Sequence, residues 1–330
     1  MAHAPGRVNL IGDHTDYTGG LVLPMAIDRR TTVEGAPGGD VVELRSEAEP
    51  EVARVPLTVG DPASVEPAWA RYVAGVVAEL RPARGLRGVV RSDVPLGAGL
   101  SSSAALEVAV ALALGFDGER RALAALCQRA EQRASGVPCG IMDQLTAVAG
   151  VEGHALLIEC DTLAVTPVRL PASLDVVVVH SGERRALAGS EYAARRADCE
   201  AAAEAIGPLR AATLADVEAI EDPRLRRRAR HVVTENARVA AFAGALAVGD
   251  AAGAGALMLE SHASLRHDFD VSTAALDALV ARLSETPGVH GARLTGAGFG
   301  GCVVALGDPG ALSEGWVVRP SAGAVVHRET

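Results

Sequence analysis

Lysine is absent from the 330 residues, and all 31 cations are arginine. That removes the Walker-A phosphate loop, the strand lysine of protein kinases and every Schiff-base amine. Arginine cannot replace that amine, because it stays protonated in proteins. Aromatics are nearly absent too, at 3% against 49% hydrophobic residues overall, so aliphatic and alanine side chains must fill a sizeable core. Five cysteines with wide spacings and no C-x-x-C exclude a disulfide framework and a zinc ribbon. The strongest apolar run, 104–116, is too short to span a bilayer and contains Glu107. Arg7, Asp13 and Asp16 stand where a signal peptide needs an apolar stretch. A net charge of −10 repels phosphate backbones and anionic membranes. These exclusions leave a cytoplasmic protein with neither nucleic acid nor membrane as partner, and a monomer is the expectation.

The chain length suits two domains. The proline-bearing stretch Thr166–Pro171 reads as the linker, giving units 1–170 and 171–330. Strand patterns cover Leu21–Val33, Val41–Arg45, Leu86–Arg91, Ala155–Glu159 and Asp175–His180. Helical spacing covers Trp69–Leu80, Glu119–Ser135, Glu183–Ile206, Pro223–Val248 and Thr273–Leu283, with a hairpin-like stretch over Val289–Leu306. A nearly all-apolar helix, expected to be buried, follows Ser103 and closes at Gly115. Strands and helices interleave in both halves, which predicts an α+β fold. In the helix over 119–135, Leu123, Cys127 and Glu131 share one face, so Glu131 is an acid continuing an apolar stripe. The run Arg224–Arg230 reads as a solvated helix face.

Three segments carry chemistry. In Gly97-Ala98-Gly99-Leu100-Ser101-Ser102-Ser103, glycines let the backbone approach a ligand, and the following helix offers free N–H groups to an anion. Its plain alternative is a strand-to-helix turn with a serine cap. Gly296-Ala297-Gly298-Phe299-Gly300-Gly301 matches a dinucleotide fingerprint in form but precedes a strand, so it reads as a turn between strands that can also pack on a ligand held elsewhere. Between two apolar runs, Asp13, His14, Thr15 and Asp16 supply short acceptors and an imidazole suited to sugar hydroxyls, or else cap turns in a solvated loop. Asp143 is either the cap of a helix over 144–148 or a partly buried general base. Arg7 would keep such a base ionised if the fold brought them together.

These motifs resemble a known family. Gly6 to Pro24 is similar to the galactokinase signature, Leu96–Ala105 to the ATP loop of the GHMP kinases, and Leu294–Gly301 to their C-terminal glycine motif. Val137–Gln144, Gly189-Ser190-Glu191-Tyr192, Glu260-Ser261-His262 and Ser264-Leu265 are similar in the same order. The resemblance implies a ribosomal-protein-S5-like N-terminal domain beside a ferredoxin-like C-terminal one, with the site in the cleft between them. It implies ATP and Mg²⁺ as cofactors and phosphorylation of galactose at C1. Asp143 would be the base and Arg7 the transition-state stabiliser. Asp13, His14, Thr15, Asp16 and Tyr192 would bind sugar, residues 97–103 would wrap the phosphates, and Ser103 and Glu131 would hold magnesium. Asp13 departs from the family's usual glutamate. That keeps two alternatives in view: a sibling kinase for N-acetylgalactosamine, arabinose or a uronic acid, and a non-catalytic sugar sensor. Family members also usually carry about one further strand and helix ahead of the signature.

Overall fold

The computed structural model describes residues 1–95, 97–183 and 188–327, with the side chains of 188–190 left aside. Leu96 of the central glycine- and serine-rich loop 96–105, residues 184–187 of the helix expected over 183–206, and the Ser190 side chain lie outside that description. In chain order the elements are β1 (Ala2–Asn9), β2 (Leu21–Val22), β3 (Pro24–Pro37), β4 (Val41–Ser46), β5 (Ala53–Pro56), α1 (Ala70–Leu80), β6 (Leu86–Ser92), α2 (Ser102–Ala113), α3 (Arg120–Ser135) and α4 (Met142–Ala149). Then come β7 (His154–Glu159), β8 (Ala164–Arg169), β9 (Asp175–His180), α5 (Ala188–Ile206), α6 (Leu214–Glu218), α7 (Pro223–Val248), α8 (Ala251–His267), α9 (Ala274–Ser284), β10 (Val289–Thr295), β11 (Cys302–Gly307), β12 (Trp316–Val318) and β13 (Val325–Val326).

The strands form three sheets, in orders β13-β1-β3-β6-β4-β5, β2-β7-β8 and β10-β11-β9-β12. The pairings are antiparallel except for β4 with β6. Helices α1 to α4 pack over the largest sheet around a core of Val and Ala side chains. A second core joins β1 to β3 with β9, β11, α7 and α8, and includes the fully buried Phe242 and Leu10. That shared core fixes the N-terminal loop against the C-terminal sheet. A third lies between β9 to β11 and α5, α7 and α9.

Three local expectations need correction. The linker expected at 166–171 is strand β8 over most of its length, paired with β7. Pro167 is tolerated because β8 is an edge strand, where no further strand needs its missing N–H. The arginine run on α7 is a solvated face only in part, with Arg224 and Arg227 exposed but Arg228 buried. Arg228 is 3% exposed and reaches the Asp268 carbonyl at 2.6 Å, while Arg224 pairs with Asp198 and Arg230 with Glu218. Those contacts bind α7 to α5, to α6 and to the residue that ends α8. Asp143 caps no helix, because α4 starts one residue before it and Ile141 holds the cap position.

Candidate functional site

A cleft of about 1290 Å³ opens between the signature loop, the central loop, α3, α4 and the turn after β10. Arg7, Asp13, His14, Asp16, Asp143 and Tyr192 all line it, as do Gly97, Gly99, Ser101, Ser102, Ser103 and Glu131. Ala98 and Leu100 do not; both are 1% exposed and anchor their loop in the second core. Thr15 does not either. It is fully buried, with its hydroxyl 2.8 Å from the Gly12 carbonyl and 2.6 Å from that of Leu21, so it closes the turn that presents its neighbours.

The centre of the cleft is an ion pair between residues 136 apart in sequence. Arg7, near the end of β1, donates Nε to Asp143 Oδ1 at 2.7 Å and Nη2 to Oδ2 at 2.5 Å. This is the parallel fork that only a guanidinium offers a carboxylate. Nη1 donates to the Gly99 carbonyl at 2.6 Å, and the Ser101 hydroxyl to Asp143 Oδ2 at 2.5 Å. Three donors thus fill three of the roughly four lone-pair directions of the carboxylate, leaving one open.

The central loop bends through left-handed backbone at alternate positions, Gly97, Gly99 and Ser101. Alternation of this kind turns successive N–H groups toward one side, an anion-binding concavity, and the N-terminus of α2 adds its own unpaired N–H groups. The Ser103 hydroxyl donates to Glu131 Oε1 at 2.8 Å, and Gln144 Nε2 to Glu131 Oε2 at 2.5 Å. Burial, then repulsion from Asp143, pushes the Glu131 carboxyl up to about 7. Glu107, fully buried within α2, is pushed well above the carboxylate range by burial and then by Glu131.

On the other wall, Gly12 sits at φ 97°, and a Cβ there would meet the Leu21 carbonyl and Val22 Cα at 2.8 Å, so only glycine fits. Asp13 is 2% exposed and turned into the protein. Its Oδ1 accepts from Gly296 N at 2.9 Å, and its Oδ2 lies 2.6 Å from Arg293 Nη2. Arg293, wholly buried, also donates to the Leu10 carbonyl at 3.2 Å. His14 bridges Tyr17 Oη at 3.0 Å and the Ala297 carbonyl at 3.2 Å. Burial holds its imidazole down at about 3, so it is neutral, with Nε2 donating to the carbonyl. The glycine turn 296–301 therefore joins two strands and also clasps the signature loop. Asp16 is pushed up to about 7 by burial, then by Asp143 and Asp13. Its carboxylate fits only because Gly140 has no side chain: a Cβ there would lie 1.8 Å from Asp16 Oδ2.

The scarce aromatics gather here. Tyr17 and Tyr192 stack edge to face at 5.3 Å, with His14 5.4 Å from Tyr192, and Tyr72 and Trp69 line the far end. Several contributors escape a linear reading. Arg293 looks like one residue of a β hairpin, and Gln144 like a neighbour of Asp143. Glu107 carried the one available signal, an acid inside an apolar helix.

Residues 1–37 match the galactokinase galactose-binding signature, 71–151 the N-terminal domain of GHMP kinases and 242–316 their C-terminal domain. The galactokinase of Canis lupus familiaris is 48% identical over 323 residues, 92% of this chain and 82% of that protein. The chain belongs to the galactokinase family. The galactokinase of Chloroflexus aggregans is 45% identical over 340 residues, 95% of this chain and 85% of its own length. A crystal structure of Lactococcus lactis galactokinase complexed with galactose superposes with a TM-score of 0.91 at 30% identity, covering 98% of this chain and 94% of that one. Methanococcus jannaschii mevalonate kinase, 20% identical with a TM-score of 0.68 over 94% of this chain and 91% of that one, shares the fold. The expected α+β architecture of paired GHMP domains therefore holds. A galactokinase-family chain uses ATP as phosphoryl donor. Among the described residues no helix is long and apolar enough to cross a membrane.

Proposed function

We propose that this chain transfers the γ-phosphoryl group of ATP to the C1 hydroxyl of D-galactose, giving α-D-galactose 1-phosphate and ADP. The observation that carries the reading is the Arg7–Asp143 fork, set between a phosphate-binding loop and the galactokinase signature loop. The free lone pair of Asp143 orients the C1 hydroxyl and accepts its proton. The C1 oxygen bonds to the γ-phosphorus as the bond from that phosphorus to the β,γ-bridging oxygen breaks, and the electron pair leaves with ADP. Arg7 fixes the base and faces the charge on the transferring group, while the amides of 97–103 hold the phosphates. Positioning and electrostatics supply most of the rate in such reactions. Asp13, His14, Asp16 and Tyr192 shape the sugar side, and Thr15 acts by holding their turn.

Ser103 and Glu131 fit a magnesium ion: they are hard oxygen donors 2.8 Å apart, and a cation would relieve the charge that burial makes costly on Glu131. No group of three or more His, Cys, Asp or Glu residues converges among the described residues, so such an ion would draw its other ligands from phosphates and water. Held there, an ion would supply positive charge against the nucleotide's phosphates. The protein acts as a cytoplasmic monomer. A coupled ADP-release assay over galactose, glucose, N-acetylgalactosamine, arabinose and uronic acids tests the reading. Strong preference for galactose is expected. Preference for another sugar would overturn the substrate and make Asp13 the leading determinant of choice, and sugar binding without turnover would make the chain a sensor.

A further inference from the structure

The central loop is left-handed at Gly97, Gly99 and Ser101, with φ of 72°, 73° and 57°. Glycine adopts that conformation freely, and serine does not. A serine just before a helix ordinarily offers its hydroxyl oxygen to a first-turn N–H. Ser101 makes no such bond. Its hydroxyl donates instead to Asp143 Oδ2 at 2.5 Å, from a side chain in a residue 8% exposed. The two residues before it make matching links to the other half of the pair: the Leu100 carbonyl accepts Arg7 N–H at 3.0 Å, and the Gly99 carbonyl accepts Arg7 Nη1 at 2.6 Å. Three consecutive loop residues thus each hold the Arg7–Asp143 unit.

We propose that Ser101 is a positioning residue for Asp143, its hydroxyl committed to the base rather than to the nucleotide, so that the phosphate loop and the base form one body. A strained serine is kept where glycine would sit without strain because only serine supplies the third donor. The consequence is that ATP seated on the loop amides and the hydroxyl-accepting carboxylate are held at a fixed separation. This inference rests on Asp143 being the base.

The test is steady-state turnover of Ser101→Ala, Ser101→Gly and Asp143→Asn, with magnesium-ATP and galactose varied separately and thermal melting followed in parallel. Ser101→Gly is the decisive variant, since it takes φ 57° without strain and deletes only the hydroxymethyl group. Both serine variants should lose kcat about 10- to 150-fold, the range for a hydrogen bond to a charged group, while the KM for ATP stays within about twofold. A rise in ATP KM with kcat preserved would make the hydroxyl a nucleotide ligand and overturn the proposal. Full kcat in Ser101→Gly would overturn it as well, leaving Ser101 a turn residue only. Those two results leave the base reading intact provided Asp143→Asn is inactive. Normal turnover in Asp143→Asn would instead remove the base and the proposal together.

Discussion

Replacing Arg7 by lysine keeps the positive charge and removes the fork. Arg7 is 6% exposed, and its three bonds at 2.7, 2.5 and 2.6 Å leave from three different nitrogens, two of them side by side to Asp143. A lysine ammonium donates from one nitrogen, so it can serve one Asp143 oxygen but not both in the parallel geometry. At least one charge-assisted hydrogen bond is lost, worth about 1.5–3 kcal/mol. If that loss falls on the transition state, at about 1.36 kcal/mol per tenfold the expected fall in kcat is about 10- to 150-fold. The assay is ADP release at saturating magnesium-ATP and galactose, with a thermal melt to confirm that the variant remains folded. A folded Arg7→Lys enzyme with kcat within about twofold of the parent would refute the argument, because the fork would then contribute no more than a point charge.

Three other perturbations follow from the same geometry. Gly140→Ala places a methyl 1.8 Å from Asp16 Oδ2, so that carboxylate must move; the KM for sugar should rise about tenfold or more while the fold melts normally, and an unchanged KM would take Asp16 out of the sugar site. Thr15→Val is nearly isosteric but removes the buried hydroxyl that holds the Gly12 and Leu21 carbonyls, so unfolding free energy should drop by about 1–3 kcal/mol in a urea titration. Glu131→Gln tests linkage without metal. Burial raises the folded Glu131 carboxyl from 4.5 to about 7, so between those values the folded state keeps a proton that the unfolded chain has released, and stability falls as pH rises. Melting in chelator should show Glu131→Gln gaining on the parent from pH 5 to pH 8, and a gap independent of pH would contradict the shift.

Local periodicity carried much of the fold. The boundaries of α7 and β9 agree with the sequence pattern residue for residue, and α9 starts at its Thr273 cap. Helix α8 escaped it, because Ala251–Leu257 is built from small residues that show no apolar stripe, although Asp250 caps it by accepting from Gly253 N at 2.8 Å. Strand β1 was masked by Pro5, Gly6 and Arg7, which break alternation where the register shifts against β3. The candidate site was visible as motifs but not as contacts. Arg7 and Asp143 meet only because β1 and α4 pack in one domain, and Asp13 turned out to face Arg293 and Gly296 from the far end of the chain. The handedness of Ser101 had no signal in the sequence, since backbone strain at a non-glycine residue is imposed by the surrounding fold.

The role proposed for Asp143, held by Arg7, is to direct the γ-phosphoryl group onto the anomeric oxygen of galactose. It is tested most directly by phosphorus NMR of the product formed from magnesium-ATP and galactose, with the parent chain and Asp143→Asn run side by side. A single sugar phosphate, coupled to the C1 proton, is expected from the parent and none from the variant. A phosphate on any other oxygen, or equal product from Asp143→Asn, would contradict it.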